Sequence, residues 1–422
     1  MASELSTRVG DILEREMPGL GRAIYRRQAE LLGLDPDNIL PRDLPELASK
    51  FAQVAKVCGG IAMAKRVYFD LTKLTDLDKI AAKEGGTVGR EMIENLAKAS
   101  IYAGDWKKAS DYIERLIEQA REAGVDKGVA ESQLLKAMML KESARYDDAI
   151  SVVAQALESA KASGDENLVA RCHNRMGDVL WYAGELEKAF ESYRAAVAMA
   201  EEKSDIAAAH IGLAIIHGIM HELDDSVREY KEALKHLEGS DDLHSIARAY
   251  NNLGDAYLEQ EKWDEALEVL QKGEEYGERS GWANIKTFML TNAATALIHK
   301  GELQKARVKL DEALRIAEGI DGKSSLAGTH RAFGTLYRSE RSWSRMVESY
   351  RRAIFIYTDV KIPYYTAHCR LDLGLGFMEM GEPAKAFQEF REAMEIFEQI
   401  KVPSGVERAK AEMERAQKLL GR

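Results

Sequence analysis

The chain has 422 residues, 45% of them hydrophobic and 31% charged, and its formal net charge at pH 7 is −11. Residues 1–90 hold 14 basic and 13 acidic residues, so the excess of acid belongs to the rest of the chain. This balance argues against nucleic acid or an anionic membrane as the main partner, because binding to phosphates needs clustered cations.

The cysteines and the apolar runs point to a cytoplasmic protein. Cys58, Cys172 and Cys369 are far apart and form no CxxC pair, which argues against disulfides or a zinc cluster. The sequence has no run of 18 uncharged apolar residues and no apolar leader segment. We therefore expect a cytoplasmic location and no membrane span.

Residues 1–88 predict a small helical bundle. Apolar spacing indicates helix from Leu5 to about Leu32, interrupted at Pro18 and Gly19, so that two short helices or one kinked helix are expected. The proline-rich stretch that follows indicates a turn and a helix start, with Asp43 as the expected N-cap. We expect that helix to end at Gly59-Gly60, a further helix over residues 61–74, and a boundary near residues 83–89.

The sequence of this bundle is consistent with two interpretations. The segment LPELASKFAQVAKV superficially resembles the first helix of a helix-turn-helix reader, but the segment after it offers only Lys65 and Arg66 as cations. A net charge near zero over residues 1–90 does not favour docking to DNA. The bundle is better interpreted as an N-terminal cap or as a candidate dimer interface.

From residue 90 onward the sequence repeats. Small residues recur at steps of 40, 40, 37, 40, 40, 40 and 40, namely at Ala97, Ala137, Gly177, Ala214, Gly254, Ala294, Gly334 and Gly374. A fixed period between 20 and 50 residues is typical of stacked repeats. Each copy predicts a helix A, a tight turn and a helix B, which in the fifth copy run from Leu243 to Glu259 and from Trp263 to Glu278. Glycine at four of the eight turns fits a helix C-cap with positive φ, and the 37-residue step leaves a three-residue slip of the fourth copy open.

The segment NNLGDAYLEQEKWDEALEVLQKG resembles the tetratricopeptide repeat, whose usual pattern is LG..Y in helix A and A…F..A in helix B. Units of 40 residues resemble the arrays of Pins-like spindle-orientation adaptors and kinesin light chains. The layout also resembles bacterial peptide-sensing regulators, which place a helical bundle ahead of the repeats. The resemblance implies an all-α, right-handed superhelical solenoid of about eight helix pairs over residues 89–402, with a C-terminal capping helix within residues 403–422. The chain departs from these families in lacking a long heptad coil, a Pins-type tail and the proline that usually ends helix B.

In such an array the A helices line the inner surface. In each copy, the residues predicted to face this inner surface lie six and three positions before the recurring small residue of helix A. The residues one, four and five positions after it are also predicted to face this surface. The predicted peptide-binding residues are Arg171, Asn174, Asp178, Trp181 and Tyr182 in the third copy, Ile211 and Ile215 in the fourth, and Arg248, Asn251 and Asp255 in the fifth. The resemblance implies that asparagine clamps the backbone of an extended peptide and that arginine pairs with a peptide carboxylate. The alternative is a solvated polar lining with no ligand.

The apolar residues of the fourth copy, with Leu134, Met138 and Trp181, predict a hydrophobic strip. This strip would either contact the ligand or be covered by the N-terminal bundle or another chain.

No motif in the sequence predicts catalysis or a cofactor. GxxxxGK[ST], GxSxG and HExxH are absent. His217 and His221 have a metal-ligand spacing, with His210 seven residues before, but no carboxylate or cysteine completes an obvious set. We therefore expect no enzyme, no metal and no cofactor. The hypothesis is a scaffold or adaptor that binds a peptide of a partner protein in the groove of the array. The alternative is a peptide sensor whose N-terminal bundle acts on a target when the array is occupied.

Overall fold

The computed structural model describes residues 3–74, 86–280, 283–319, 322–360, 362–400 and 402–420. Within these ranges the chain forms twenty α-helices, one short 3-10 helix at Pro41–Asp43, and no strand. The expectation of an all-α repeat fold is confirmed. None of the described helices has both the length and the apolar character that crossing a bilayer requires.

Three helices precede the repeats: α1 (Glu4–Glu16), α2 (Gly21–Leu31) and α3 (Leu44–Thr72). The Ser3 hydroxyl caps α1 by accepting from the backbone N–H of Ser6 at 3.1 Å. The expected interruption near Pro18 is confirmed, since α1 ends at Glu16 and Gly19 takes a φ of +78° that glycine tolerates without strain.

One prediction for this region was wrong. Helix α3 runs through Gly59-Gly60 without ending there. Each glycine costs a helix about 1 kcal/mol relative to alanine, and the full burial of Phe51 and Tyr68 on the same helix outweighs that cost. Asp43 occupies the N-cap position of α3 as predicted, but its carboxylate makes no capping hydrogen bond to that helix and accepts instead from the Leu40 N–H at 2.8 Å. Of the boundary predicted at residues 83–89, residues 83–85 lie outside the described residues, and residues 86–89 form the start of the first A helix, Gly86–Tyr102.

Eight helix pairs follow, here called repeats 1 to 8, each with an A helix and a B helix. The A helices are α4 (Gly86–Tyr102), α6 (Asp126–Glu142), α8 (Glu166–Tyr182), α10 (Lys203–Ile219), α12 (Leu243–Glu259), α14 (Ala283–His299), α16 (Lys323–Ser339) and α18 (Pro363–Glu379). The B helices are α5 (Trp106–Glu122), α7 (Tyr146–Ser163), α9 (Leu186–Met199), α11 (Leu223–Leu237), α13 (Trp263–Ser280), α15 (Leu303–Gly319), α17 (Trp343–Asp359) and α19 (Pro383–Gln399).

The turn between helix A and helix B has the same backbone conformation in every repeat. The residue at the predicted turn position has a left-handed φ in all eight copies: Gly104, Ala144, Gly184, His221, Glu261, Gly301, Arg341 and Gly381. Four of them are not glycine and so adopt a conformation that disfavours a Cβ atom. The repeat register is therefore confirmed in all copies, including the fourth, where the 37-residue step allowed a slip of three residues.

The small residues allow helices A and B to pack closely. A Cβ atom added at Gly177 would lie 2.7 Å from the Tyr193 ring, and one at Gly334 would lie 2.6 Å from the Tyr350 ring. The same relation joins Gly374 to Phe390 and Gly254 to Leu270. A bulky residue sixteen positions after the glycine thus fills the space that the missing side chain leaves, as the repeat pattern predicts.

The described residues group into two compact units, Met1–Leu213 and Ala214–Arg422. The last helix of the second unit, α20 (Pro403–Leu420), packs its buried Ala409 and Ala416 into the core that contains Phe390 and Phe397. This helix covers the apolar face that repeat 8 would otherwise leave exposed. The predicted division of the chain at residue 88 stays a prediction.

Candidate functional site

The predicted residues of repeat 3 border a cavity of about 350 Å³ in the first compact unit. Four A helices (α4, α6, α8 and α10) and one residue of α9 form its walls. We call it the repeat-3 cavity. Its lining residues are Glu94, Glu131, Leu134, Leu135, Met138, Arg171, Asn174, Arg175, Asp178, Tyr193, Asp205 and Ala208.

Part of the lining is apolar. Leu134, Leu135 and Met138 come from adjacent turns of α6, and Ala208 comes from α10. Leu134 and Met138 are only partly buried, and the sequence placed both in its hydrophobic strip. This wall can therefore accept an apolar side chain of a ligand, as the lining of a small-molecule or peptide site usually does.

Asn174 uses one half of its amide within the fold. Its Nδ2 donates to the backbone carbonyl of Asp205 at 3.0 Å, which links α8 to the first turn of α10. Its Oδ1 is buried and has no hydrogen-bond partner among the described residues. A buried amide oxygen without a donor is unfavourable by about 1–3 kcal/mol, so this atom can gain from a ligand N–H.

Arg171 and Asp205 face each other across the cavity without a hydrogen bond. Arg171 Nε lies 3.9 Å from Asp205 Oδ2, and an Arg171 terminal nitrogen lies 3.9 Å from Glu131 Oε1. Both distances are too long for hydrogen bonds. Arg171 Nε and Asp205 Oδ2 are buried without a hydrogen-bond partner in the described structure, and burial raises the pKa of the Asp205 carboxyl. Together with Asn174 Oδ1, three polar atoms of this cavity lack a partner.

Asp178 is held by two neighbours. The Tyr193 hydroxyl donates to Asp178 Oδ1 at 2.9 Å, and Arg175 Nη1 donates to Asp178 Oδ2 at 3.2 Å. Burial and the neighbouring Asp178 charge raise the pKa of the Tyr193 hydroxyl, so it acts as a donor at physiological pH. The Asp178 carboxylate is thus fixed in direction at the edge of the repeat-3 cavity.

Trp181 and Tyr182 lie farther along α8 and are not part of the cavity lining. Their ring centroids are 4.6 Å apart, and the Tyr182 ring also stacks on Tyr146 at 6.3 Å. The ammonium group of Lys141 lies 4.8 Å from the centroid of the half-exposed Tyr182 ring. Burial lowers the pKa of Lys141. These rings form a separate aromatic group beside the cavity.

The two isoleucines predicted in repeat 4 differ in their surroundings. Ile211 is 4% exposed, so the structure places it in the packed interior rather than on a free surface. The prediction for Ile211 failed because the neighbouring helices bury this apolar side chain. Ile215 belongs to the second unit and is partly exposed.

The sequence missed Arg175, Tyr193 and Asp205. Tyr193 fills the space beside Gly177, so packing of the repeat alone accounts for its place in the sequence pattern. Asp205 lies nine residues before the small position of repeat 4, one helical turn beyond the positions predicted to face inward. Extending the i, i+3 series by one turn toward the start of helix A would have included it.

The predicted residues of repeat 5 belong to the second unit. Arg248 is exposed, and Asn251 joins neighbouring amides: it donates to Asn252 Oδ1 and accepts from Asn292 Nδ2, both at 3.3 Å. Asp255 lies one turn farther along α12, with Glu259 one turn beyond it. We call Arg248, Asn251, Asp255 and Glu259 the repeat-5 face.

The carboxyl groups of the repeat-5 face titrate abnormally. Both side chains reach solvent, but the surrounding helices displace much of the water near them. This desolvation raises the pKa of Asp255, and together with the Asp255 charge it raises the pKa of Glu259 to about 7. The cation that opposes the pKa rise of both carboxyls is Arg331, which donates from Nε to Asp372 Oδ2 at 2.7 Å and is therefore already paired. The repeat-5 face thus favours cationic groups.

Comparison with known protein families identifies the same repeat. The tetratricopeptide repeat profile matches residues 128–202 and 205–278, which comprise repeats 2 to 5. No curated protein sequence matches the chain.

Among solved structures, the apo form of RapI has a TM-score of 0.57 at 17% identity, covering 64% of this chain and 98% of its own. Aspartyl phosphate phosphatase F from Bacillus subtilis has a TM-score of 0.56 at 13% identity and covers 96% of both chains. The Rap conjugation gene regulator of plasmid pLS20, in complex with the Phr* peptide, has a TM-score of 0.54 at 13% identity, covering 86% of this chain and 96% of its own. At these identities the likeness shows the fold alone.

The eight helix pairs, the left-handed residue at every A-to-B turn and the family match lead to one conclusion: the chain contains a tetratricopeptide repeat array.

Proposed function

We propose that the protein is a non-catalytic interaction scaffold that binds an extended peptide segment of a partner protein in the repeat-3 cavity. The observation that carries the proposal is the convergence of three buried polar atoms without partners on one cavity with an apolar wall. Such atoms are costly in a folded protein unless a ligand or solvent satisfies them.

The unpartnered atoms match a peptide backbone. A peptide group offers one donor and one acceptor. Its N–H would donate to Asn174 Oδ1, and its carbonyl would accept from Arg171 Nε. An adjacent apolar side chain of the peptide would pack on Leu134 and Met138. Backbone contacts of this kind fix the direction of the peptide, while the apolar anchor contributes most of the affinity.

The charges of the cavity favour a basic peptide. Four carboxylates line it (Glu94, Glu131, Asp178 and Asp205) against the guanidinium groups of Arg171 and Arg175. A lysine, an arginine or a free N-terminus of the ligand would compensate the excess of negative charge and satisfy Asp205 Oδ2. The proposed ligand is therefore an extended segment with an apolar residue next to a cationic group.

A randomised octapeptide library tests this proposal. Binders selected on the full chain are labelled with a fluorophore, and their dissociation constants are measured by fluorescence polarisation. We expect enrichment of an apolar residue beside lysine, arginine or the free N-terminus. Arg171→Met and Asn174→Ala should each weaken binding about tenfold, because each removes one hydrogen bond to the ligand.

Gln271→Ala is the matched control, since it removes an exposed side-chain amide from helix α13. It should leave the affinity unchanged. Selected peptides that bind Arg171→Met and Asn174→Ala as tightly as the natural protein would exclude the repeat-3 cavity as their site.

A second candidate function is a peptide sensor that acts through the N-terminal helices. Lys56 of α3 forms an ion pair with Glu142 of α6, and the Ser100 hydroxyl of α4 donates to the Tyr68 hydroxyl of α3 at 2.9 Å. Glu142 lies one helical turn beyond Met138, which lines the repeat-3 cavity. A ligand that moves α6 would therefore act directly on a contact of the N-terminal helices.

Small-angle scattering separates the two functions. A sensor should change its scattering profile when a selected octapeptide is added, and Lys56→Met should weaken that change without altering the peptide affinity. A plain scaffold should give the same profile with and without the peptide.

A further inference from the structure

Three side chains with metal-binding groups meet at the A-to-B turn of repeat 4. His217 is in the last turn of α10, Glu222 is the N-cap residue of α11, and Asp225 is in the first turn of α11. Their ligand atoms all lie within 4.8 Å of one another. His217 Nδ1 is 2.6 Å from Glu222 Oε2. The imidazole is largely buried, and the Glu222 side chain is 44% exposed.

Three of the other seven repeats share a different set of residues at these positions. In repeats 3, 6 and 8 the residue equivalent to Glu222 is also glutamate, and the residue three positions later is lysine. These residues form the ion pairs Glu185–Lys188 at 3.3 Å, Glu302–Lys305 at 2.5 Å and Glu382–Lys385 at 2.6 Å. The residue equivalent to His217 is apolar in all three, namely Leu180, Leu297 and Phe377.

Repeat 4 therefore differs from these repeats at two of the three positions. Aspartate replaces the lysine, so a stabilising ion pair becomes two carboxylates, and histidine replaces the apolar residue that these three repeats have there. Arg228 pairs with Asp225 at 2.5 Å and compensates one of the two negative charges. Two changes that convert an ion pair into a histidine–carboxylate group are not explained by packing of the repeat.

We propose that His217, Glu222 and Asp225 bind a divalent transition-metal ion of the zinc class. An imidazole nitrogen with two carboxylate oxygens is a ligand set suited to zinc, cobalt and related ions. With ligands about 2.1 Å from zinc, tetrahedral neighbours lie roughly 3.4 Å apart. Small rotations of Glu222 and Asp225 from their present positions supply that spacing. Three protein ligands leave at least one position for water.

The ion would fasten the end of helix α10 to the start of helix α11. The residue between them, His221, has a φ of +63° although it is not glycine, so this turn carries a conformational cost that the bound ion would offset. The sequence missed the site because it considered the pair His217 and His221. His221 is not part of the group.

Isothermal titration of the full chain with zinc chloride, after treatment with a chelator, tests the proposal. We expect one equivalent of zinc to bind, and zinc to raise the thermal transition temperature. His217→Leu and Asp225→Lys should each weaken this binding at least tenfold and remove the thermal shift. Both variants restore residues of the sister repeats, so both should fold, as circular dichroism would verify.

His221→Gly is the matched control: it removes the adjacent imidazole and places glycine at a left-handed φ, and it should keep the zinc affinity. Retention of zinc binding by both His217→Leu and Asp225→Lys, or its loss in His221→Gly alone, would overturn the assignment. Absence of a zinc equivalent in the natural protein would overturn it as well.

Discussion

The side-chain amide of Asn174 donates to the backbone carbonyl of Asp205 at 3.0 Å and so joins the A helices of repeats 3 and 4. An equivalent link joins repeats 5 and 6, where Asn292 donates to Asn251 Oδ1 at 3.3 Å. The inward-facing amides therefore take part in the stacking of the A helices. Asn174 has a structural bond on Nδ2 and a free acceptor on Oδ1, and the two can be tested separately.

Asn174→Ala should lower the stability of the protein, because it removes the bond to Asp205. The expected loss is about 1 kcal/mol, the usual net contribution of such a hydrogen bond. Asn174→Asp should be worse, since it places a second carboxylate beside Asp205. Differential scanning fluorimetry gives the transition temperatures of the natural protein and both variants, and so their order of stability. Equal transition temperatures for the three proteins would show that the bond does not form.

Gly334→Ala should destabilise the protein by roughly 1–3 kcal/mol, because the new Cβ atom would lie 2.6 Å from the Tyr350 ring and force the helices apart. Gly218→Ala is the control in another A helix, where the Cβ atom would meet only Ser226 Oγ at 3.6 Å. That variant should gain up to about 1 kcal/mol from helix propensity. The transition temperature of each variant is measured by thermal denaturation. A shift of both transition temperatures in the same direction would contradict the packing scheme.

Substitution to glycine at the left-handed turn residues should raise the stability of the protein. Arg341→Gly and Glu261→Gly should each stabilise the protein by about 1 kcal/mol, because φ is +55° and +58° at these residues and glycine adopts such values freely. Gly301→Ala, at a φ of +78°, should destabilise it by a similar amount. The transition temperatures of the three variants check the prediction, which fails if the glycine substitutions lower stability.

Much of this fold was predictable because the repeat supplies eight copies of each position. The bounds of α12, Leu243–Glu259, match the prediction, and the turn residues of all copies were placed correctly. Outside the repeats, each sequence pattern that indicates a helix or a turn occurs only once. There the pair Gly59-Gly60 was interpreted as a helix end, although the packing of the surrounding helix overrides glycine's low propensity.

The sites were less predictable than the fold. The repeat register correctly predicted that Arg171, Asn174 and Asp178 share one surface. Tyr193 and Asp205 also line the cavity, but they lie on α9 and α10, and only the packing of these helices brings them there. The metal-binding group of repeat 4 was missed for the same reason. Glu222 and Asp225 approach His217 because the left-handed turn at His221 reverses the chain, and helix spacing alone does not show this.

Glu259 should make stability depend on pH. Its ordinary pKa of 4.5 applies to the unfolded chain, and its pKa in the folded protein is about 7. An acid whose pKa is raised by folding favours the folded state when protonated, so its contribution is fully present below pH 4.5 and is lost as the pH rises through 7.

Glu259→Gln should therefore raise the transition temperature at pH 8, by roughly 1–2 °C because the side chain reaches solvent, and leave it unchanged near pH 4. Glu265→Gln, on the exposed surface of α13, is the matched control and should show no such pH dependence. A carboxyl titration of Glu259 by NMR with a midpoint near 4.5 would contradict the prediction.

Photo-crosslinking from inside the repeat-3 cavity tests the central claim most directly. A photoreactive phenylalanine analogue replaces Met138 on the apolar wall, or, as the control, Phe355, which is 74% exposed on α17. A peptide selected from the octapeptide library is then added, and mass spectrometry locates the crosslink. We expect crosslinks from position 138, and an excess of unlabelled peptide should abolish them. Crosslinks from position 355 with none from position 138 would show that the peptide binds elsewhere.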